Sequence, residues 1–138
     1  MNLPTFAWPK LVRLTHVSPL GIYGGYIEPE RYRWLQSLEL QFEWVENSGG
    51  VRASGAGKRF AEHVKNNQFG AVILLNHLIG HDEGAFITAA CRSGDILYGM
   101  GKKGGVGNFR AVFEEFEERL KDEQLLDNRK RFRQGRRN

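Results

Sequence analysis

Residues 70–101 read GAVILLNHLIGHDEGAFITAACRSGDILYGMG, and the way this stretch folds decides the architecture. Ala71 to Leu75 is continuously apolar, which fits a central strand or a buried helix segment, and periodicity alone does not separate the two. The punctuation that follows favours the strand. Gly80-His81-Asp82-Glu83-Gly84 has the composition of a hairpin loop leading into Ala85 to Cys91, and Arg92-Ser93-Gly94-Asp95 that of a second turn into Ile96 to Met100. Three antiparallel strands in succession are expected.

Upstream, Lys10 to Ser18 carries branched residues and is closed by Pro19 and Gly21, which predicts a strand. Residues 29–37 read two ways: Pro29 between Glu28 and Glu30 suits a helix first turn, while Tyr32 and Trp34 alternating with Arg31 and Arg33 suit a strand. Leu38, Leu40, Phe42 and Trp44 alternate with Glu39, Gln41 and Glu43, the pattern of a strand with one buried face. Ser54 suits the cap of a helix over 56–66 that buries Phe60, Ala61 and Val64.

Downstream, Asn108 suits the N-cap of a helix over 109–126. Phe109, Val112, Phe113, Phe116 and Leu120 would line one apolar stripe, with Glu115–Arg119 and Glu117–Lys121 as wet i, i+4 pairs. The expected fold class is α+β: an antiparallel sheet of about four to five strands with two main helices packed on it. One globular domain over 1–128 precedes a disordered tail over 129–138.

The chain has 138 residues and a 41% apolar share, enough for one domain with a core. No apolar run reaches the roughly 18–20 residues that cross a bilayer, and the first residues lack a secretory signal pattern, so no membrane partner is expected. A single cysteine, Cys91, makes no internal disulfide and suggests a reducing, cytoplasmic setting.

The net charge of +4 is unevenly distributed. Residues 129–138, RKRFRQGRRN, hold six cations and no acid. Removing them from 20 basic and 16 acidic residues leaves 14 against 16, a net of −2 for residues 1–128. Arg129, Lys130, Arg131, Arg133, Arg136 and Arg137 can neutralise phosphates, and Phe132 adds a stacking face, so this segment is the candidate nucleic-acid contact. A solvated terminus that only aids solubility is the bland alternative. Arg31, Arg33, Lys58, Arg59 and Lys65 would extend a basic surface if Tyr32 and Trp34 were exposed stacking platforms; core packing of the two aromatics is the competing account.

Lys102, Lys103, Gly104, Gly105 and Gly107 form a candidate anion-binding loop, because a flexible loop before a helix aims free amides at an anion. It does not match a nucleotide-hydrolase phosphate loop or a dinucleotide fingerprint. Over residues 71–126 the order hairpin, strand, Lys102-Lys103-Gly104-Gly105-Val106-Gly107 and long helix resembles the acetyl-CoA pyrophosphate loop of GNAT-type acyltransferases. That resemblance implies Lys102, Gly105 and Gly107 at the loop's motif positions and an acyl-CoA ligand. The chain after 126 is too short for the family's remaining strands.

His77 and His81 stand four apart, followed by Asp82 and Glu83, which would suit a metal on a helix, but the hairpin reading separates them and no metal is expected. Cys91 reads as a buried hydrophobe and not a nucleophile, and no catalytic residue or cofactor is assigned. The expected function is a small non-enzymatic nucleic-acid-binding or accessory protein that uses its arginine-rich tail. The alternatives are a GNAT-like acyltransferase and a protein-interaction module with a protein partner.

Overall fold

A computed structural model describes residues 8–25, 27–46, 54–75, 81–101 and 105–120. In chain order the elements are α1 (Pro9–Val17), β1 (Leu20–Tyr23), α2 (Pro29–Ser37), β2 (Phe42–Val45), α3 (Ser54–Lys65), β3 (Ala71–Leu75), α4 (His81–Gly94), β4 (Leu97–Gly101) and α5 (Val106–Arg119). The four strands form one sheet in the order β2-β1-β3-β4. Every neighbouring pair is parallel, with Leu20 beside both Phe42 and Ala71, and Ala71 beside Leu97.

The expected antiparallel sheet is therefore overturned. Residues 81–94, expected to hold a hairpin loop and a strand, form α4 instead. A parallel neighbour cannot be reached by a tight turn, because the chain must travel back along the sheet before it re-enters in the same direction. Helix α4 makes that return between β3 and β4. Its buried residues Ile87, Ala90 and Cys91 follow helical spacing.

Residues 10–18 are corrected in the same way. Leu11, Leu14 and Thr15 are the buried face of α1, and Pro9 fills its first turn, where a missing N–H costs nothing. The open choice at residues 29–37 resolves as helix α2, also with proline in its first turn. The strand expected from Leu38 shrinks to Phe42–Val45, because Glu39 takes a left-handed conformation at φ 65.

Two apolar layers sandwich the sheet. One joins Leu11 and Leu14 of α1, Leu35 of α2 and Phe109, Val112, Phe113 and Phe116 of α5 to Leu20, Ile22, Trp44, Ala71, Ile73 and Leu97. The other joins Phe60 and Val64 of α3 and Ile87, Ala90 and Cys91 of α4 to Tyr23, Val72 and Leu74. Residues 71–75 are all buried because alternate side chains serve opposite layers, which is why a strand inside a parallel sheet reads as an unbroken apolar run.

The stripe expected on the last helix is present: Phe109, Val112, Phe113, Phe116 and Leu120 are all buried. Gly99 lets α5 approach closely, since a Cβ there would stand 2.8 Å from Val112 Cγ1. The helix starts earlier than expected, with Gly105 and not Asn108 as its N-cap. Arg119 pairs with Glu115 at 3.6 Å as expected. The expected partner of Glu117, Lys121, lies outside the described residues; the two Glu117 carboxylate oxygens accept the backbone N–H groups of Lys10 and Leu11, each at 2.9 Å, and so cap α1 from a distant part of the chain. Among the described residues, no helix is long and apolar enough to cross a membrane.

Candidate site at the carboxyl edge of the sheet

Because all four strands run the same way, their carboxyl ends share one edge, and α2, α3, α4 and α5 each begin after leaving it. The chain passes from β1 to β2 through α2 on one face, then from β2 to β3 and β3 to β4 through α3 and α4 on the other. Crossovers of constant hand require that change of face when the direction of travel reverses. The reversal lies between β1 and β3, and in open parallel sheets the crevice outside the strand ends at such a point is where ligands are seated.

The β1 side of this crevice is built with care. Gly24 and Gly25 follow Tyr23 with φ 113 and φ 70, a left-handed pair that side chains resist. The indole Nε1 of Trp44, buried on β2, donates to Gly24 O at 2.8 Å, and Gly24 N donates to Val45 O at 3.0 Å. Ile27 N donates to Glu46 Oε2 at 2.8 Å. Three hydrogen bonds thus tie the turn after β1 to the end of β2, and the edge there is ordered before any ligand arrives.

Two helix starts along this edge differ in charge: α2, which follows β1 beside the crevice, and α5, which follows β4, one strand beyond β3. At α2, Glu28 is the N-cap and Glu30 lies in the first turn, with Arg31 paired to Glu28, so carboxylates already occupy the positive end of the helix dipole. At α5 there is no acid in the first turn and no side-chain cap. The first helical bond runs from Phe109 N to Gly105 O at 3.1 Å, which leaves the amides of Val106, Gly107 and Asn108 without helical acceptors. A Cβ at Gly107 would meet nothing within 4 Å, so this turn faces open space. An anion is favoured at α5 and opposed at α2.

Of the sequence-predicted anion loop, Gly105 and Gly107 sit at this turn, while Lys102, Lys103 and Gly104 lie outside the described residues and join the end of β4 to Gly105 in the chain. The tail candidates Arg129, Lys130, Arg131, Phe132, Arg133, Arg136 and Arg137 also lie outside them, as does His77. The acyltransferase resemblance loses the hairpin on which it rested, because that segment is α4; only the strand, loop and helix order at β4 and α5 remains.

The basic surface suggested for the body does not assemble. Arg31 and Arg33 are on α2 and Lys58, Arg59 and Lys65 on α3, in layers on opposite faces of the sheet. Tyr32 and Trp34 are packing groups, Tyr32 against Phe42 with ring centroids 5.1 Å apart and Trp34 stacked on Phe113 at 6.3 Å. Cys91 is buried and free, and burial pushes its thiol up to about 12 from 9.0, the opposite of an activated nucleophile. Among the described residues, no three His, Cys, Asp or Glu side chains are grouped to hold a metal.

Sequence reasoning missed Gly24, Gly25, Trp44 and Glu46. The signal was present as a glycine pair directly after a short apolar run, with an acid about 20 residues on, but it has meaning only once β1 and β2 are parallel neighbours. Comparison with protein-family models, with characterised proteins and with solved structures returned no match.

Proposed function

We propose that the protein is a binding protein for a phosphate-bearing small molecule of the nucleotide type, seated at the carboxyl edge of the sheet over the crevice between β1 and β3. The observation that carries this reading is the reversal of strand order between those two strands in an all-parallel sheet. The ordered Gly24-Gly25 turn supports it, as does the acid-free amino end of α5, placed directly after Lys102 and Lys103 in the chain. A cytoplasmic setting belongs to the same proposal and rests on the single cysteine.

Thermal denaturation in the presence of inorganic phosphate and of nucleoside mono-, di- and triphosphates tests it. A ligand at about 100 times its dissociation constant stabilises the folded state by about 2.7 kcal/mol, a shift of several degrees. The shift is expected to vanish in Gly105→Glu, which puts a carboxylate at the anion site, and to shrink in Trp44→Phe, which frees the Gly24 carbonyl. No saturable shift with any of these ligands would end the proposal.

A second reading, nucleic-acid binding through residues 129–138, is favoured by the concentration of six cations in a segment attached to a body of net charge −2. Replacing Arg129, Arg131 and Arg133 together should weaken oligonucleotide binding and flatten its salt dependence. Unchanged anisotropy titrations in that variant, or in a chain ending at Asn128, would remove this reading without touching the first.

A further inference from the structure

The large apolar side chains exposed among the described residues are Phe86, Met100 and Val106, at 47%, 49% and 36%. Phe86 lies on α4 beneath the Lys58 ammonium of α3, 5.6 Å from its ring, and Val106 opens α5 on the opposite face, so Met100 is the one of the three on the edge strand β4. Strand β4 is the last in the order, so its outer backbone groups have no strand partner among the described residues. Soluble proteins usually guard such an edge with charge, proline or a bulge. Leu97-Tyr98-Gly99-Met100-Gly101 has neither charge nor proline, and all five residues keep an unbroken register with β3. The opposite edge, β2, carries the exposed Glu43 in its middle.

We propose that β4 pairs antiparallel with β4 of a second copy of this chain, about a two-fold axis through Gly99. The sequence of the strand is self-complementary in that register. An axis perpendicular to the sheet keeps each side chain on its own face, so the axis must pass through a residue, and Gly99 is the residue that pairs the whole strand. Leu97 then lies opposite Gly101 of the partner subunit, and Tyr98 opposite Met100 of the partner subunit. The most exposed large apolar side chain meets an aromatic ring twice, once on each side of the axis, in a sulfur–aromatic contact. Arg92 Nε donates to the Tyr98 hydroxyl at 3.0 Å and steadies that ring. Gly99 and Gly101 present no side chain against the approach on the other face. Two four-stranded sheets become one continuous sheet. A strand this short places the dimer at the weak end of specific association, with a dissociation constant of roughly micromolar order.

Sedimentation equilibrium of the full chain over a micromolar concentration series tests this. A monomer–dimer equilibrium is expected, and Met100→Lys should raise its dissociation constant at least about tenfold by setting cations beside the axis. The circular dichroism spectrum and melting temperature of that variant should match those of the unaltered chain. In a second variant, Tyr98→Cys with Met100→Cys, mild oxidation should link two chains, because residues directly opposite in an antiparallel pair lie about 4.5–5.5 Å apart. A monomer at every concentration, a dimer indifferent to Met100→Lys, a dimer without the interchain disulfide, or a dimer abolished by stopping the chain at Asn128 would each overturn the proposal.

Discussion

Replacing Glu117 with alanine removes both acceptors from the amino end of α1. That helix has little else to offer there: Trp8 at its N-cap makes no side-chain cap bond, no acid lies in its first turn, and Pro9 has no N–H. The first helical bond runs from Val12 N to Trp8 O at 2.9 Å, so the amides of Lys10 and Leu11 depend on the Glu117 carboxylate, each at 2.9 Å. A lost cap costs about 0.5–2 kcal/mol. A hydrogen bond to a charged group contributes about 1.5–3 kcal/mol where water is excluded, but Glu117 is only half-buried and solvent recovers part of that.

Two amides lost together with no local replacement put Glu117→Ala at about 2 kcal/mol. For a chain of this size that lowers the melting temperature by roughly 6–10 °C. Glu117→Gln keeps one carbonyl acceptor and should lose about half as much. Urea denaturation followed by circular dichroism gives the stability change directly if the slope stays constant. Glu118→Ala is the control, an exposed neighbour on α5 expected within about 0.5 kcal/mol of the unaltered chain. If Glu117→Ala loses no more than this control, the cross-chain cap contributes nothing and the reasoning fails.

The core supplies two further predictions. Gly99→Ala would place a methyl 2.8 Å from Val112 Cγ1 and 3.4 Å from Phe116 Cε1, pushing α5 away from β4, and should cost about 1–3 kcal/mol; an unchanged urea midpoint would show that α5 yields freely. Cys91 should react with a disulfide reagent near pH 8 only as fast as the protein opens, because its thiol is buried and pushed up to about 12. Its folded value lies above the unfolded one, so its contribution to stability is complete below about pH 9 and is lost as pH rises towards 12. Cys91→Ala should flatten that alkaline decline, and labelling faster than unfolding would contradict the burial.

Much of the local structure was legible. The stripe from Phe109 to Leu120, the buried face of Phe60, Ala61 and Val64 and the strands at 71–75 and near 97–101 follow from spacing and punctuation, although Ser54 opens α3 itself instead of standing before it as a cap. The largest differences fall at Lys10–Ser18 and at 81–94, where branched residues and glycines mask a helical spacing of apolar positions. In α4 the inward face is made of Ile87, Ala90 and Cys91, two of them small, so its apolar stripe is faint in the sequence. That one difference puts a crossover helix where a hairpin is expected and reverses the direction of the sheet. The glycines Gly105 and Gly107 at the start of α5 stand out in the chain, whereas Gly24, Gly25 and Glu46 do not, because what links the latter is a contact between strands about 20 residues apart.

By itself the sequence determined which short segments are apolar, the burial of the last helix, and the separation of a slightly acidic body from a cationic end. Those properties depend on residues within a few turns of each other, or simply on counting charge. Strand direction, the position of the crevice and the capping of α1 by Glu117 were decided by tertiary structure alone. An alternating or continuous apolar pattern specifies which faces are buried but carries no sign for the direction of the neighbouring strand. Only the passage of α3 and α4 across one face and α2 across the other sets that sign, and with it the edge where a ligand would sit.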